Sequence, residues 1–174
     1  GQAEHDELAQ CILITKSYTL LNKVNKCITA QLKKLPRSKT AKKSLSRNGI
    51  LIKVNTDKDI ISIVNKIAPE HLELNIKNHK KISNKIINAG SVCLGKYSVM
   101  AMTDYNIGSN HILPTNSSSR FSSGVSVNDF YKRISYINLS KKGIETLGPS
   151  VITLANYEGL VGHAESVKLR IRRK

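Results

Sequence analysis

The 174 residues carry 28 Lys and Arg against 12 Asp and Glu, a formal charge of +16, in a chain that is 40% apolar. That is enough for one compact core, or a core with a short appendage. No apolar run is long enough to span a membrane and no signal peptide is visible, so a soluble, cytoplasmic protein without membrane association is expected. The positive balance would favour a polyanion, but the lysines are scattered as pairs at 33–34, 42–43, 80–81 and 141–142. Six tyrosines and two phenylalanines form no basic–aromatic platform, so no specific nucleic-acid site is expected. Three cysteines without Cys-x-x-Cys spacing argue against a disulfide framework. Cys11 and Cys93 sit in apolar runs and Cys27 on the apolar side of a helical pattern.

Residues 2–9 have helix-forming composition, with Gln2 and His5 three apart on one face. Cys11 to Thr15 reads as a buried strand. Leu20, Leu21, Val24, Cys27, Ile28, Leu32 and Leu35 then recur at helical spacing up to Pro36. Residues 37–47 are basic and polar, an exposed helix or a loop, and Asn48-Gly49 marks a turn before a strand over 50–54. Thr56 or Asp57 can cap a helix whose apolar face is Ile60, Ile61, Val64 and Ile67. Another helix is expected over about 77–88, with His79 exposed, then a strand over 91–95. Strands alternating with helices imply βαβ units. The expected fold class is α/β: a partial Rossmann-like parallel sheet with flanking helices, followed by a small helical C-terminal arm.

After Gly95 the chain turns polar through residue 125, a length that is usually functional or mobile. Small helices are expected at 127–134 and 141–147 around a strand-like 135–139, and Gly148-Pro149 opens a last helix through Tyr157. The expected division is an α/β part over 1–124 and a helical dimerisation arm over 125–174. The chain begins at Gly1 within what reads as the interior of an element, which suggests a fragment.

Chemistry concentrates at Ala68-Pro69-Glu70-His71, where a carboxylate adjoins an imidazole inside apolar sequence. On a regular strand the two side chains would point apart, so they can serve one substrate only if the backbone turns there. His titrates nearest neutrality, and a carboxylate beside it can act on water or tune a base. His5, Asp104, His111 and His163 are too dispersed for a local metal motif. Glu158 and His163, five apart, would sit about 140° apart on an unbroken helix. Gly159 and Gly162 permit the break that would bring them together.

Six ordered motifs carry a resemblance: Gln-Ala-Glu-His-Asp at 2–6, Ala-Pro-Glu-His-Leu-Glu at 68–73 and Asn-Ala-Gly-Ser at 88–91 come first. They are followed by Asp104-Tyr105 with Gly-Ser-Asn-His-Ile-Leu-Pro-Thr at 108–115, by Arg-Phe-Ser-Ser-Gly-Val-Ser-Val at 120–127, and by Glu158-Gly159-Leu160 with His163-Ala164 and Ser166-Val167. Together they resemble the C-terminal part of the histidinol dehydrogenase family, the zinc enzymes of the last step of histidine synthesis.

The resemblance implies NAD-dependent oxidation of L-histidinol through L-histidinal to L-histidine. Gln2, His5, Asp104 and His163 would be the ligands of one Zn²⁺ per site, and imidazole and oxygen donors without thiolate suit that ion. His71 would be the general base and Glu70 the group that activates water. Gln2, His5, His71, Asp104, His111, Glu158 and His163 would contact substrate. The terminal segment would reach into a partner subunit, making a homodimer with shared sites. The family's NAD-binding portion has no counterpart here, since no Gly-x-Gly-x-x-Gly loop occurs. The chain alone is therefore expected to be inactive. The competing readings are a non-catalytic remnant of the same enzyme and a basic polyanion-binding module.

Overall fold

The computed structural model describes residues 1–172, which divide into two compact units, one of Gly1–Asp129 and one from Phe130 onward. The first is mixed α/β. Its elements are β1 (Cys11–Thr15), α1 (Tyr18–Leu32), α2 (Ser38–Asn48), β2 (Gly49–Lys53), α3 (Asp57–Ile67), β3 (His71–Leu74), α4 (His79–Ser83), β4 (Ser91–Leu94) and α5 (Met100–Tyr105). The strands form two parallel pairs rather than one sheet. β1 runs beside β2 with Cys11 opposite Gly49, and β3 beside β4 with His71 opposite Ser91.

The two pairs share a core through α3. Val54, Ile60 and Val64 are buried together, and Ile14, Ile52, Ile63, Leu72 and Ile86 pack against them. Both strand pairs thus send side chains to one helix face. The start of α3 is secured by reciprocal bonds in which Thr56 Oγ1 accepts from Asp59 N at 3.1 Å and Asp59 Oδ2 accepts from Thr56 N at 2.9 Å. Satisfying both otherwise unpaired donors fixes where the helix begins.

Several sequence expectations are corrected. Residues 2–9 form only a 3-10 turn at Gln2–Glu4. The basic stretch after Pro36 is the helix α2, which runs directly into β2 with no separate turn at 48–49. The helix expected over 77–88 stops at Ser83. Beyond it, Asn65 Oδ1 accepts from the backbone N–H groups of Ile87 and Asn88 at 2.9 and 3.4 Å, which competes with continued helix. Cys27 is exposed and Cys11 half-buried, whereas Cys93 is buried as its apolar run implies. His79 is half-buried rather than exposed, its Nδ1 lying 2.9 Å from the Ile76 carbonyl oxygen.

In the second unit, α6 (Lys141–Tyr157) and α7 (Val161–Arg172) form a helical hairpin. Residues 127–134 yield only a 3-10 turn at Val127–Phe130, and 135–139 is irregular because no strand pairs with it. Pro149 opens no new helix; it lies inside α6, which starts eight residues earlier with Ser140 Oγ accepting from Gly143 N at 3.1 Å. Small residues make the seam: Gly148 faces Val167 and Ile171, and Ala155 and Ala164 are buried. That packing outweighs the one helical hydrogen bond Pro149 cannot donate. The hairpin turns at Gly159, with φ +75°, where Leu160 N donates to the Ala155 carbonyl at 2.8 Å. Among the described residues no helix is long and apolar enough to cross a membrane.

Candidate functional site

The backbone does turn between α3 and β3. Ala68, fully buried, adopts the left-handed conformation at φ +51° and ends the helix. Pro69 follows, and β3 begins at His71. The turn leaves Glu70 Oε1 3.6 Å from His71 Nε2, with both side chains half-buried. The carboxylate and imidazole are therefore neighbours in space, not opposed across a strand. This juxtaposition can move protons: an imidazole to accept one and a carboxylate beside it to polarise water.

His71 and Glu73, two apart, share one face of β3. Glu73 Oε1 accepts from Met100 N at 2.9 Å, which ties the first turn of α5 to that face. Asp104 rides on α5 and is half-buried. Burial raises the pKa of the Cys93 thiol on β4, and the charges of Glu73 and Asp104 add to the rise. Asp104 and Glu73 thus bring negative charge to the region of Cys93.

Gln2 and His5 are exposed at the N-terminal 3-10 turn. Such a turn repeats every three residues, so positions 2 and 5 fall on one side while buried Ala3 faces inward. The basic helix α2 holds this segment. Arg37 donates to the His5 carbonyl at 3.3 Å, Ser44 Oγ to the Ala9 carbonyl at 2.8 Å, and Lys43 pairs with Glu7 at 2.7 Å. Part of the high positive charge is therefore architectural. His111 is exposed in the loop where Asn110 Nδ2 donates to the Val125 carbonyl at 2.7 Å.

In the second unit, Glu158 caps the end of α6 and His163 lies in the first turn of α7. The helix break at Gly159 puts both, exposed, at one hairpin corner. The donor types at Gln2, His5, Asp104 and His163 suit a borderline divalent ion. Yet among the described residues no three His, Cys, Asp or Glu side chains gather closely enough to hold a metal. Grooves of about 410 and 300 Å³ lie along Ile137–Ile144 with Arg170 and over β1 and β2; neither is lined by Glu70 or His71.

Parallel strand pairs around one helix, with an acid–imidazole pair where that helix meets a strand, define an α/β protein. A family profile described as histidinol dehydrogenase matches residues 1–171. The histidinol dehydrogenase of Pelagibacter ubique is 75% identical over all 174 residues, which cover 41% of its length. That of Lactiplantibacillus plantarum is 44% identical over 170 residues, 98% of this chain and 40% of its own. The crystal structure of histidinol dehydrogenase from Elizabethkingia anophelis superposes with a TM-score of 0.88 at 38% identity, over 98% of this chain and 39% of that one. The chain belongs to the histidinol dehydrogenase family, oxidoreductases of histidine biosynthesis. It spans about two fifths of the length of the relatives it matches.

Reasoning from sequence singled out the acid–imidazole pair but missed Ser117, Ser119 and Arg120, whose side chains bond the end of α3 just ahead of it. The Arg120-Phe-Ser-Ser-Gly motif was the available signal.

Proposed function

We propose that this chain carries the proton-transfer and substrate-binding part of an NAD-dependent histidinol dehydrogenase that converts L-histidinol through L-histidinal to L-histidine. The observation that carries the reading is the Glu70–His71 pair, 3.6 Å apart at a turned helix–strand junction, in a chain matched by that family over residues 1–171.

In the first oxidation the His71 imidazole would accept the proton of the substrate hydroxyl, and NAD⁺, when bound, would supply the acceptor for the hydride of the adjoining carbon. In the second, Glu70 would take a proton from a water that adds to the aldehyde carbon, giving a hydrate whose hydride a second NAD⁺ would accept. Each hydride removes two electrons, so two NAD⁺ are reduced per carboxylate formed. Gln2, His5 and Asp104 of one copy and His163 of a second would hold one Zn²⁺. When bound, that ion would orient the substrate's amino and imidazole nitrogens. His111, from the loop before Pro114, and Glu158, from the same hairpin corner of the second copy as His163, would contact substrate. The active form is then a homodimer with shared sites and a helical arm running from about residue 125.

The test is His71→Asn in the full-length protein. Turnover should fall by about 10²- to 10⁴-fold, the usual contribution of a general base, with zinc content retained. Loss of zinc with turnover intact would assign His71 to the metal instead. A His163→Asn subunit should lose zinc, and mixing it with His71→Asn subunits should restore some turnover. Absence of any complementation would rule out the shared site.

A further inference from the structure

Five consecutive carbonyl groups around the turn, from Lys66 to Glu70, are each held by a donor distant in sequence. The Arg120 guanidinium donates to the Lys66 carbonyl. Ser117 Oγ donates to Ile67 O at 2.6 Å and Ser119 Oγ to Ala68 O at 3.0 Å. Gly90 N donates to Pro69 O at 2.9 Å and Ser91 N to Glu70 O at 2.8 Å. The last carbonyls of a helix have no partner within it, and water or a cap usually satisfies them. Here one short 3-10 turn, Ser118–Arg120, and its flanking Ser117 supply three side-chain donors.

Backbone conformation points to the same contact. Among the described residues, the non-glycine positions with positive φ are Ala68 at +51°, Asn116 at +49° and Ser117 at +63°. All three lie on the two sides of this interaction. Such conformations persist only where surrounding contacts over-determine them. Close packing adds a third constraint, since a Cβ at Gly90 would come 2.6 Å from Glu70 O and 3.2 Å from Pro114 Cδ. Ser119 is buried, and its hydroxyl is engaged by Ala68 O.

We propose that Ser117, Ser119 and Arg120 are positioning residues, a clamp on the end of α3 that sets the direction in which Glu70 and His71 leave the turn. The proposal rests on the proton-transfer reading of that pair. The clamp's bonds go to the carbonyls of residues 66–68 rather than to either side chain, and Ala68 in turn fixes where Pro69 and the two reacting groups go. A general base must meet its proton within hydrogen-bond reach, and a misplacement of about 1 Å can cost about a hundredfold in rate.

The variants are Ser119→Ala, Arg120→Met and Arg120→Lys in the full-length, zinc-loaded protein, measured beside His71→Asn. Ser119→Ala and Arg120→Met should lower kcat by about tenfold to a hundredfold, with KM for histidinol and zinc content unchanged. Deuterium exchange over residues 66–73 should quicken in both. Arg120→Lys, which still reaches a carbonyl as a donor, should recover most of the kcat lost in Arg120→Met; a role confined to folding would move expression and KM together and show no such rescue. Because Arg120 is exposed, its variants keep the test open if Ser119→Ala does not fold. Full turnover in the clamp variants while His71→Asn is dead would overturn the clamp alone. Full turnover in His71→Asn would overturn the proton-transfer reading and the positioning role with it.

Discussion

The junction at residues 66–71 and the hairpin corner at 158–163 both carry candidate site residues, but they are held in opposite ways. At the junction, each successive carbonyl from Lys66 to Glu70 is bonded by a group 21 to 54 residues away. At the hairpin corner, backbone bonds stay local, from Glu158 N to Leu154 O and from His163 N to Leu160 O, and both side chains are exposed. The first unit thus ties down the backbone that carries its acid–imidazole pair. The second presents Glu158 and His163 on a turn whose surroundings come from a seam of small residues behind it. Proton transfer tolerates little displacement. A residue that completes a site on another copy, as proposed for His163, needs to be accessible first.

A paired substitution of glycines is the strongest way to break that contrast. At Gly90 an added methyl meets backbone and a proline ring, the Glu70 carbonyl at 2.6 Å and Pro114 Cδ at 3.2 Å, and neither can move aside without shifting the junction. Gly90→Ala should destabilise the full-length protein by about 1–3 kcal/mol, the range for overpacking, and depress kcat as well. At Gly148 the obstacles are side chains, Ile171 Cδ1 at 2.6 Å and Val167 Cγ1 at 3.0 Å. Ala also gains about 1 kcal/mol over Gly inside a helix. Gly148→Ala should therefore change stability by less than about 1 kcal/mol. Denaturant midpoints of the two variants check the order, and a reversal would mean that the hairpin is the more tightly specified region.

The same contrast explains what could be read from the sequence. β1, β2, β4 and α3 were legible because their apolar spacing is local, whereas a turn at Glu70 and His71 entered only as the condition for the two side chains to serve one substrate. The clamp was not legible: Ser117, Ser119 and Arg120 reach partners 50, 51 and 54 residues back, and a serine-rich loop gives no hint of which carbonyl it will meet. The premature end of α4 was hidden for a similar reason, since it depends on the Asn65 amide some twenty residues away. On the hairpin side the misreading was local. Pro149 argued for a new helix, and only the burial of Gly148, Ala155 and Ala164 against their neighbours shows why α6 runs through it.

A smaller effect separates the two regions by pH. Thr56 and Asp59 cap α3, and Asp57 bonds Lys16 Nζ at 2.6 Å and Asn78 Nδ2 at 2.8 Å, tying α3 to the end of β1 and the start of α4. Hydrogen bonds from Lys16 and Asn78 hold the Asp57 carboxyl below its ordinary 3.8, and hydrogen bonds from Thr56 do the same for Asp59. A lowered carboxyl pKa contributes stability that is fully present above the unfolded value and is lost as pH falls through the folded one. Asp59→Asn should therefore be less stable than the parent at pH 6, and the gap should close as pH drops below about 4. Thr56→Ala removes the reciprocal cap and should cost about 1 kcal/mol at neutral pH. In the second unit Glu165 is lowered by Lys168 three residues along the same helix, so Glu165→Gln should show a smaller gap over the same range. Melting temperatures of the three variants between pH 6 and 3 make the comparison. A gap for Asp59→Asn that persists unchanged to pH 3 would show that the cap acts through shape rather than carboxylate charge, and the acid sensitivity of α3 would then have to rest on Asp57.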